Sequence, residues 1–305
     1  MRAIGIPPAS PFVMYRRALL PLDGTTDGES ILEYVRPLLS PDSEVILLHV
    51  LPEPPSMAGD GLASWMALQR ETDAYLAGVL FRGFPGQVRT LVDTGDAAQR
   101  ILAVASATHA DLIALAKHSW RGPPRAGLGK TALRVLRSAD RDALFVSPGR
   151  APWDGGPKRI LLPLEGPMGS AADVEPILHV ATGLNAEVVV LHVEAPEPDP
   201  LEGRRTDPPL ALAAHDRARS YEAAADHLKS FGIESSSRIA RGEPSREILA
   251  QAASLGAPMI AMTTHGRRGL ERLVAGSVAE SVIRHADRPV LLQRPAAVPA
   301  SAAAP

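Results

Sequence analysis

Short runs of apolar residues alternate with longer segments of helical periodicity along the whole chain. In runs such as 188–191, Val-Val-Val-Leu, every position is apolar, which is typical of parallel strands covered on both faces. The apolar runs predict ten strands, at 17–22, 44–50, 87–92, 111–116, 143–147, 159–164, 187–193, 235–240, 258–263 and 289–293. Helical patterns in the second half fall near 169–183, 209–231, 245–256 and 277–287. This alternation predicts an α/β fold with parallel sheets.

The second half of the chain repeats the first half in the same order. Lys158–Gly166 (KRILLPLEG) matches Arg16–Gly24 (RRALLPLDG), and Ala186–Val193 (AEVVVLHV) matches Ser43–Val50 (SEVILLHV). A repeat of this length suits a whole domain rather than a solenoid unit. The chain is therefore predicted to be two copies of one domain.

The repeat sets the predicted domain organisation. We predict two doubly wound, parallel, five-stranded α/β domains in tandem, Rossmann-like in class, at residues 14–149 and 157–295. A segment rich in Gly and Pro joins them. Residues 296–305 are mostly Ala and Pro and are predicted to be disordered.

Composition narrows the class of protein further. The chain has 305 residues, 45% of them hydrophobic, which is enough for two globular cores. The net charge is −2, so the chain lacks the excess of positive charge that binding to nucleic acid needs, and no nucleic-acid partner is predicted. No run approaches the roughly 18–20 apolar residues that span a membrane, and prolines interrupt the N-terminal segment, so neither a membrane span nor a signal peptide is predicted. Without cysteine, disulfides, thiol catalysis and thiolate metal sites are excluded. We expect a cytoplasmic protein.

A glycine-containing loop in the second copy is the main candidate for chemistry. Thr263-Thr-His-Gly266 follows a predicted strand, and Gly276-Ser277 begins a predicted helix. Glycines allow the main chain to approach a ligand, and the N–H groups that begin a helix attract anions. The pattern favours an anion-binding loop. The same residues allow a structural interpretation, because Ser277 and Glu280 have the spacing of a capping box.

Several side chains in this loop also have two interpretations. Arg267, Arg268 and Arg272 would either contact phosphates or form an ordinary solvated basic loop. His265 stands beside Gly266 and would either face a phosphate or pack. The sequence leaves these alternatives open.

Two other features are expected to be structural. Gly127–Thr131 (GLGKT) ends like a P-loop, but Pro124 stands where that motif requires its first glycine. Lys130 is then at most a residual anion contact. His49 and His192 end the second strand of each copy and are expected to be packed or hydrogen bonded. No His-x3-His spacing predicts a metal site.

The chain resembles the universal stress protein family in its tandem-domain form, from about residue 16 to 294. The resemblance rests on the two-copy pattern, on the Gly-x9-Gly-Ser spacing from Gly266 to Ser277, and on a closing strand, Arg-Pro-Val-Leu-Leu, at 288–292. It implies an adenine nucleotide alpha hydrolase-like fold. It also implies that the second copy binds ATP, with or without Mg²⁺.

The resemblance implies a set of nucleotide contacts in the second copy. Glu165 takes the position of an aspartate that holds the adenosine, Val193 offers its main chain to the adenine, and Ser277 and Val278 bind phosphate. The complete expected set is Pro163, Leu164, Glu165, Val193, Met262, Thr263, Gly266, Arg267, Gly276, Ser277 and Val278. Two positions depart from the family motif: Thr263 replaces a glycine, and Glu165 replaces the aspartate.

The first copy departs further from the family motif. Its loop has Ala116, Ser119 and Lys130 at motif positions and keeps only Gly129. Asp23, the adenosine aspartate, is retained. We therefore expect the nucleotide in the second copy and treat the first as degenerate.

Three functions are compatible with these residues. The favoured hypothesis is a nucleotide-binding stress-response module without an efficient catalytic step. The alternative is an interaction scaffold that has lost its ligand. A related ATP pyrophosphatase would carry Ser-Gly-Gly-x-Asp-Ser after the first strand, and residues 165–170 read Glu-Gly-Pro-Met-Gly-Ser instead. Slow ATP hydrolysis stays open.

The resemblance also implies how the two copies meet. In the family, domains pair through their last strands, which are 143–147 and 289–293 in this chain. Pairing inside one chain would cover two sheet edges that are otherwise exposed. The sequence leaves open whether two chains then form a homodimer.

Overall fold

The computed structural model describes residues 14–55, 60–80, 83–117, 127–149, 153, 158–164, 171–194, 210–263 and 276–294. Within these residues the chain is an α/β protein with a largely parallel sheet and helices on both of its faces, which confirms the predicted fold class.

The strands lie close to the positions that the apolar runs predict. They are β1 Tyr15–Pro21, β2 Leu39–Leu51, β3 Gln87–Thr94, β4 Leu112–Ala116, β5 Asp142–Val146, β6 Arg159–Pro163, β7 Glu187–Glu194, β8 Ser235–Arg241, β9 Met259–Thr263 and β10 Val290–Gln293. The largest difference is at β2, which begins at Leu39 rather than at 44. Tyr15 pairs with Leu39 across an irregular step in β1, so tertiary pairing extends the strand through a polar stretch.

All ten strands belong to one continuous sheet, in the order β3-β2-β1-β4-β5-β10-β9-β6-β7-β8. Each repeat contributes five strands that pair in parallel with one another. The middle pair is different, because β5 and β10 run antiparallel, with Leu144 opposite Leu291. The prediction of two five-stranded sheets therefore becomes one ten-stranded sheet with an approximate two-fold relation between its halves.

Helices cover both faces of this sheet. They are α1 Thr26–Glu29, α2 Ile31–Val35, α3 Asp60–Leu80, α4 Ala97–Ala107, α5 Lys130–Ser138, α6 Ala171–Val174, α7 Leu178–Leu184, α8 Leu210–Ser230, α9 Pro244–Ser254 and α10 Ser277–His285. One buried cluster packs residues of α2, α7 and α8 against one face. The other packs residues of α4, α5, α9 and α10 against the opposite face.

The single helix predicted over 169–183 is wrong in detail. The structure has α6, then a 3-10 turn at Glu175–Ile177, and then α7. Pro176 lies at the start of that turn and has no N–H to donate, so a continuous α-helix would lose a hydrogen bond there. α7 then ends at Asn185, whose backbone is left-handed with φ 49°.

None of the helices in the described ranges is both long enough and apolar enough to cross a lipid bilayer.

Candidate functional site

The candidate site lies where the direction of winding changes in the second repeat. β7 and then β8 are added to the sheet on one side of β6. The chain then returns, and β9 and β10 are added on the other side of β6. Ligands in open α/β sheets bind at such a switch point, beyond the carboxyl ends of the strands. β6 and β9 are therefore the strands between which a ligand is expected.

The ends of these two strands lie beyond their paired stretch. The register of β6 with β9 places Ile160 opposite Met259 and Leu161 opposite Ile260 and stops there. Pro163 and Thr263 end the two strands, past the last pair. The tertiary structure thus places these two predicted residues at the carboxyl ends of neighbouring strands, on either side of the switch point.

Thr263 fits this position without backbone strain. It belongs to an extended strand, and it is not among the described non-glycine residues with positive φ, which are His109 and Asn185. The replacement of the family glycine by threonine therefore does not force the residue into an unfavourable φ. Its Oγ1 is inaccessible to solvent and has no hydrogen-bond partner among the described residues. A buried hydroxyl without a partner costs about 1–3 kcal/mol, which a hydrogen bond to a ligand would offset.

The start of α10 has no side-chain cap from its own N-cap residue. Gly276 takes that position, in an extended conformation with φ −65° and ψ 163°, and no side chain among the described residues is seen to bond to the first N–H groups. The Glu280 N–H donates to the Gly276 oxygen at 3.0 Å, so Ser277 is the first helical residue. Within the described part of the chain, the amides of the first turn and the positive end of the helix dipole are thus left without a side-chain cap.

The capping-box interpretation of Ser277 and Glu280 is wrong. A capping box needs its Ser at the N-cap position, which Gly276 occupies. The Glu280 carboxylate does not turn back to the helix start. It accepts hydrogen bonds from Arg137 and Arg284 instead.

Space is open above Gly276. A Cβ built at this residue would have nothing within 4 Å, and both Gly276 and Ser277 are exposed. Since its φ is negative, glycine is not required here by backbone conformation. The open space and the uncapped amides fit an anion at this helix start. Val278, the next residue, is half-buried.

Three other predicted contacts are described. Leu164 and Met262 are buried, at 4% and 7% exposure, and their side chains belong to the two core clusters. They could contact a ligand only through the main chain, and the Leu164 N–H already donates to Leu191 at 2.9 Å. Val193 is half-buried near the end of β7 and pairs with Ala240.

The remaining predicted contacts, Glu165, Gly266 and Arg267, lie outside the described residues, as do Arg268 and Arg272. The loop histidines, His118 and His265, and Ser119 also lie outside them.

At the corresponding place in the first repeat, several of the described residues bond to one another. The Gly129 N–H, at the N-cap of α5, donates to the Lys117 carbonyl oxygen at 3.0 Å, which ties the end of the loop to its beginning. Asp23 is engaged locally, accepting from the Thr25 N–H at 3.1 Å and from the Thr25 hydroxyl at 2.7 Å. These bonds engage a main-chain amide and a carboxylate oxygen at motif positions of the first repeat.

The strand-end histidines are packed, as predicted. His192 is 8% exposed and stacks on Tyr221, with ring centres 4.4 Å apart and an angle of 17°. His49 meets Tyr75 edge-on, and burial lowers the pKa of His49. No group of three His, Asp or Glu in the described part of the chain is arranged to hold a metal ion.

Sequence reasoning missed the residues of the first repeat that contact α10, among them Lys117 and Arg137. Lys117 is 3% exposed, and its Nζ donates to the Ile283 carbonyl oxygen at 2.8 Å. Arg137 donates to Glu280 at 2.9 Å. No local pattern signals either contact, because each joins residues from different repeats.

An open groove of about 560 Å³ lies between α9 and α10, on the face of the sheet that these two helices cover. Most of its lining residues carry a polar or charged group, although Leu249 is apolar: Glu243, Ser245, Arg246, Leu249, Ser281 and His285. Glu243 caps α9 by accepting from the Ser245 and Arg246 N–H groups. The helix start in this groove is therefore already occupied by a carboxylate of the chain itself.

Comparisons with known proteins agree with this architecture. The model of the universal stress protein family matches residues 14–147 and again residues 156–294. Universal stress protein MJ0531 of Methanocaldococcus jannaschii is 30% identical over 139 residues, which cover 44% of this chain and 81% of that protein.

Solved structures show the same fold over nearly the full length. A universal stress protein from Archaeoglobus fulgidus superposes with a TM-score of 0.65 at 18% identity, covering 93% of this chain and 97% of that one. The functionally unknown protein PA1789 from Pseudomonas aeruginosa superposes with a TM-score of 0.61 at 22% identity, covering 92% and 93%. With two family matches in tandem, the chain belongs to the universal stress protein family.

Proposed function

We propose that the second repeat binds ATP or a related adenine nucleotide and that the chain acts as a nucleotide-binding regulatory module in a stress response. The observation that carries this proposal is the uncapped start of α10, with open space above Gly276. Free amides at a helix start are suited to phosphate oxygens.

The nucleotide would lie across the switch point of the second repeat. Its phosphates would accept hydrogen bonds from the main chain of Gly276–Val278 and from the Ser277 hydroxyl. Its adenosine would lie toward the ends of β6 and β7, at Pro163 and Val193. The ligand's phosphates bring Mg²⁺ with them in the cell, where ATP is largely the magnesium complex.

Thr263 supports the same placement. It ends β9 beside the switch point, and its buried hydroxyl has no partner in the described ranges. A ribose or phosphate oxygen would supply the missing hydrogen bond. A micromolar complex needs about 8 kcal/mol in total, so this bond would add to the affinity without determining it alone.

Titration calorimetry of the full chain with Mg-ATP tests the proposal. We expect heat of binding with one nucleotide per chain, because the loop of the first repeat keeps only Gly129 of the family motif. Binding alone breaks no covalent bond of ATP. A phosphate-release assay on the same sample therefore measures any hydrolysis separately.

Two glycine variants locate the site. Gly276→Val places a side chain in the open space without backbone strain, so it should fold normally and lose nucleotide binding. Gly129→Ala is the matched change in the first repeat, where the new Cβ would lie 3.2 Å from the Lys117 oxygen. It should leave binding unchanged.

The alternative function is an interaction scaffold without a ligand. It predicts no heat at millimolar Mg-ATP, and no functional difference between Gly276→Val and the parent protein. That result would reject the nucleotide-binding proposal.

A further inference from the structure

Helix α10 is held from the first repeat at both ends. Near its start, Arg137 of α5 donates through Nη2 to Glu280 at 2.9 Å and through Nε at 3.2 Å. At its end, Lys117 Nζ donates to the Ile283 carbonyl oxygen at 2.8 Å and also to the Ala286 oxygen. Ser147 Oγ donates to the same Ala286 oxygen at 2.8 Å. The helix whose N-terminus is the proposed phosphate site is thus fixed by residues of the other repeat.

Lys117 is placed where its charge suits the helix. Its amine lies among the last carbonyl groups of α10, which form the negative end of the helix dipole. The residue is 3% exposed, so this contact is made inside the protein rather than in solvent. Burying a charged amine is costly unless it is hydrogen bonded, and here two main-chain carbonyls accept from it.

Arg137 controls a charge close to the phosphate site. Glu280 lies in the first turn of α10, about one helical pitch of 5 Å from the amides that would hold phosphate. A carboxylate at that position repels phosphate unless it is neutralised. Arg284, one turn along the same helix, bonds to Glu280 at 2.8 Å, and Arg137 from the first repeat provides the second cation.

The carboxylate of Glu280 has no counterpart in the first repeat. Leu133 stands four residues after Gly129 in α5, as Glu280 stands four residues after Gly276 in α10. The first repeat therefore offers no carboxylate at the equivalent position of its own helix. The arrangement acts on the repeat that carries the nucleotide motif and not on the degenerate one.

We propose that the first repeat serves as a positioning partner for nucleotide binding in the second repeat, acting on α10 through Arg137 and Lys117. This inference rests on the proposed function. Arg137 sets the charge next to the phosphates, and Lys117 with Ser147 fixes the end of the helix. A nine-residue helix is a rigid element, so a shift at its end displaces the amides at its start.

A double-mutant cycle between Arg137 and Glu280 tests the charge effect. Arg137→Gln should weaken ATP binding by about fivefold or more, since couplings of this kind are typically that large. Glu280→Gln removes the negative charge that Arg137 neutralises. In that background, adding Arg137→Gln should change ATP affinity little. Arg137 is half exposed, so its substitution should leave the fold intact.

Two comparisons separate positioning from general effects. Arg134→Gln removes a cation from the same helix, but Arg134 pairs with Asp96 of its own repeat, so ATP affinity should not change. Adenosine has no phosphate, and its affinity should be the same for Arg137→Gln and the parent protein.

Lys117→Met tests the other end of the helix. It should weaken ATP binding by about fivefold in a sample shown by circular dichroism to be folded. Tyr15→Phe is its control, because it removes another buried hydrogen bond, from Tyr15 to Asp142 at 2.6 Å, without touching α10. It should leave ATP affinity unchanged.

The outcomes distinguish the two proposals. If the parent protein binds no nucleotide, the proposed function fails and this inference falls with it. If the parent binds ATP and Arg137→Gln binds it as tightly as Arg134→Gln does, the positioning role is wrong while nucleotide binding stands.

Discussion

Leu144 of β5 and Leu291 of β10 lie directly opposite each other in the antiparallel pair at the middle of the sheet, and neither has exposed surface. β5 is the last strand of the first repeat and β10 the last of the second. Their pairing joins the two parallel halves and covers one edge of each. The two repeats therefore share a core across this pair.

Leu144→Ala is expected to lower the free energy of unfolding by about 2–5 kcal/mol, because truncation of a fully buried leucine leaves a cavity. Since the sheet is continuous, we expect both repeats to unfold in one transition. Urea unfolding followed by circular dichroism measures both effects. Leu68→Ala in α3 is the control, because Leu68 is 38% exposed and should change stability by no more than about 0.5 kcal/mol. Two separate transitions would contradict the shared core.

Thr263→Val is expected to leave the ligand-free protein as stable as the parent or more stable by about 1 kcal/mol. Valine keeps the shape and removes a buried hydroxyl for which the described part of the chain supplies no partner. The same change should weaken ATP binding several-fold, because the ligand loses one hydrogen bond. Thermal unfolding and titration calorimetry measure the two effects. A clear loss of stability without ligand would mean that the hydroxyl is bonded inside the protein.

Lys117 should make stability depend on pH above neutrality. Burial lowers the pKa of Lys117 from the ordinary 10.5 to about 8, opposed by the negative charge of Asp287. Between about pH 8 and 10.5 the unfolded chain then binds more protons than the folded chain, so stability rises with pH in this window. The full gain is on the order of 3 kcal/mol.

The comparison that isolates this effect is the difference in unfolding free energy between the parent and Lys117→Met. Urea unfolding at pH 7, 8, 9 and 10 should show this difference moving in favour of the parent as pH rises. Other titrating groups, such as Tyr15, are present in both proteins and cancel. A difference independent of pH would show that the amine is not desolvated as its position indicates.

Asp96→Ala is expected to cost about 1 kcal/mol of stability. Asp96 is the N-cap of α4, and its carboxylate accepts from the Gln99 N–H at 2.9 Å. Arg134→Ala removes the ion pair with the same carboxylate, but both side chains are about half exposed, so stability should change by less than 1 kcal/mol. Equal losses for the two variants would show that the ion pair, rather than the cap, carries the contribution of Asp96.

Much of the fold can be predicted because the central strands are buried on both faces. A run such as 188–191 must be apolar at every position, and that requirement is visible in the sequence. Leu39–Ser43, at the start of β2, carries no such signal, because Tyr15 holds it in the sheet through pairing alone. The helix predicted over 169–183 shows the converse. Its periodicity is correct, and Pro176 interrupts it through the main chain.

The candidate site was predictable only in outline. The sequence correctly indicated that a strand ends at Thr263 and that a helix begins directly after Gly276. It could not distinguish a capping box from an uncapped start, because that depends on which residue is the N-cap. The position of Gly276 decides this, and Glu280 is drawn instead toward Arg137 of the other repeat.

By itself, the sequence determined the α/β class, the duplication and the order of strands along the chain, since each is recorded in local periodicity or in direct repetition. Only the tertiary structure decided that the two halves form one sheet, that the Thr263 hydroxyl is buried with no partner among the residues described, and that Lys117 reaches Ile283, 166 positions away. The physical reason is that packing and hydrogen bonding act between residues close in space, and distance along the chain does not determine which residues those are.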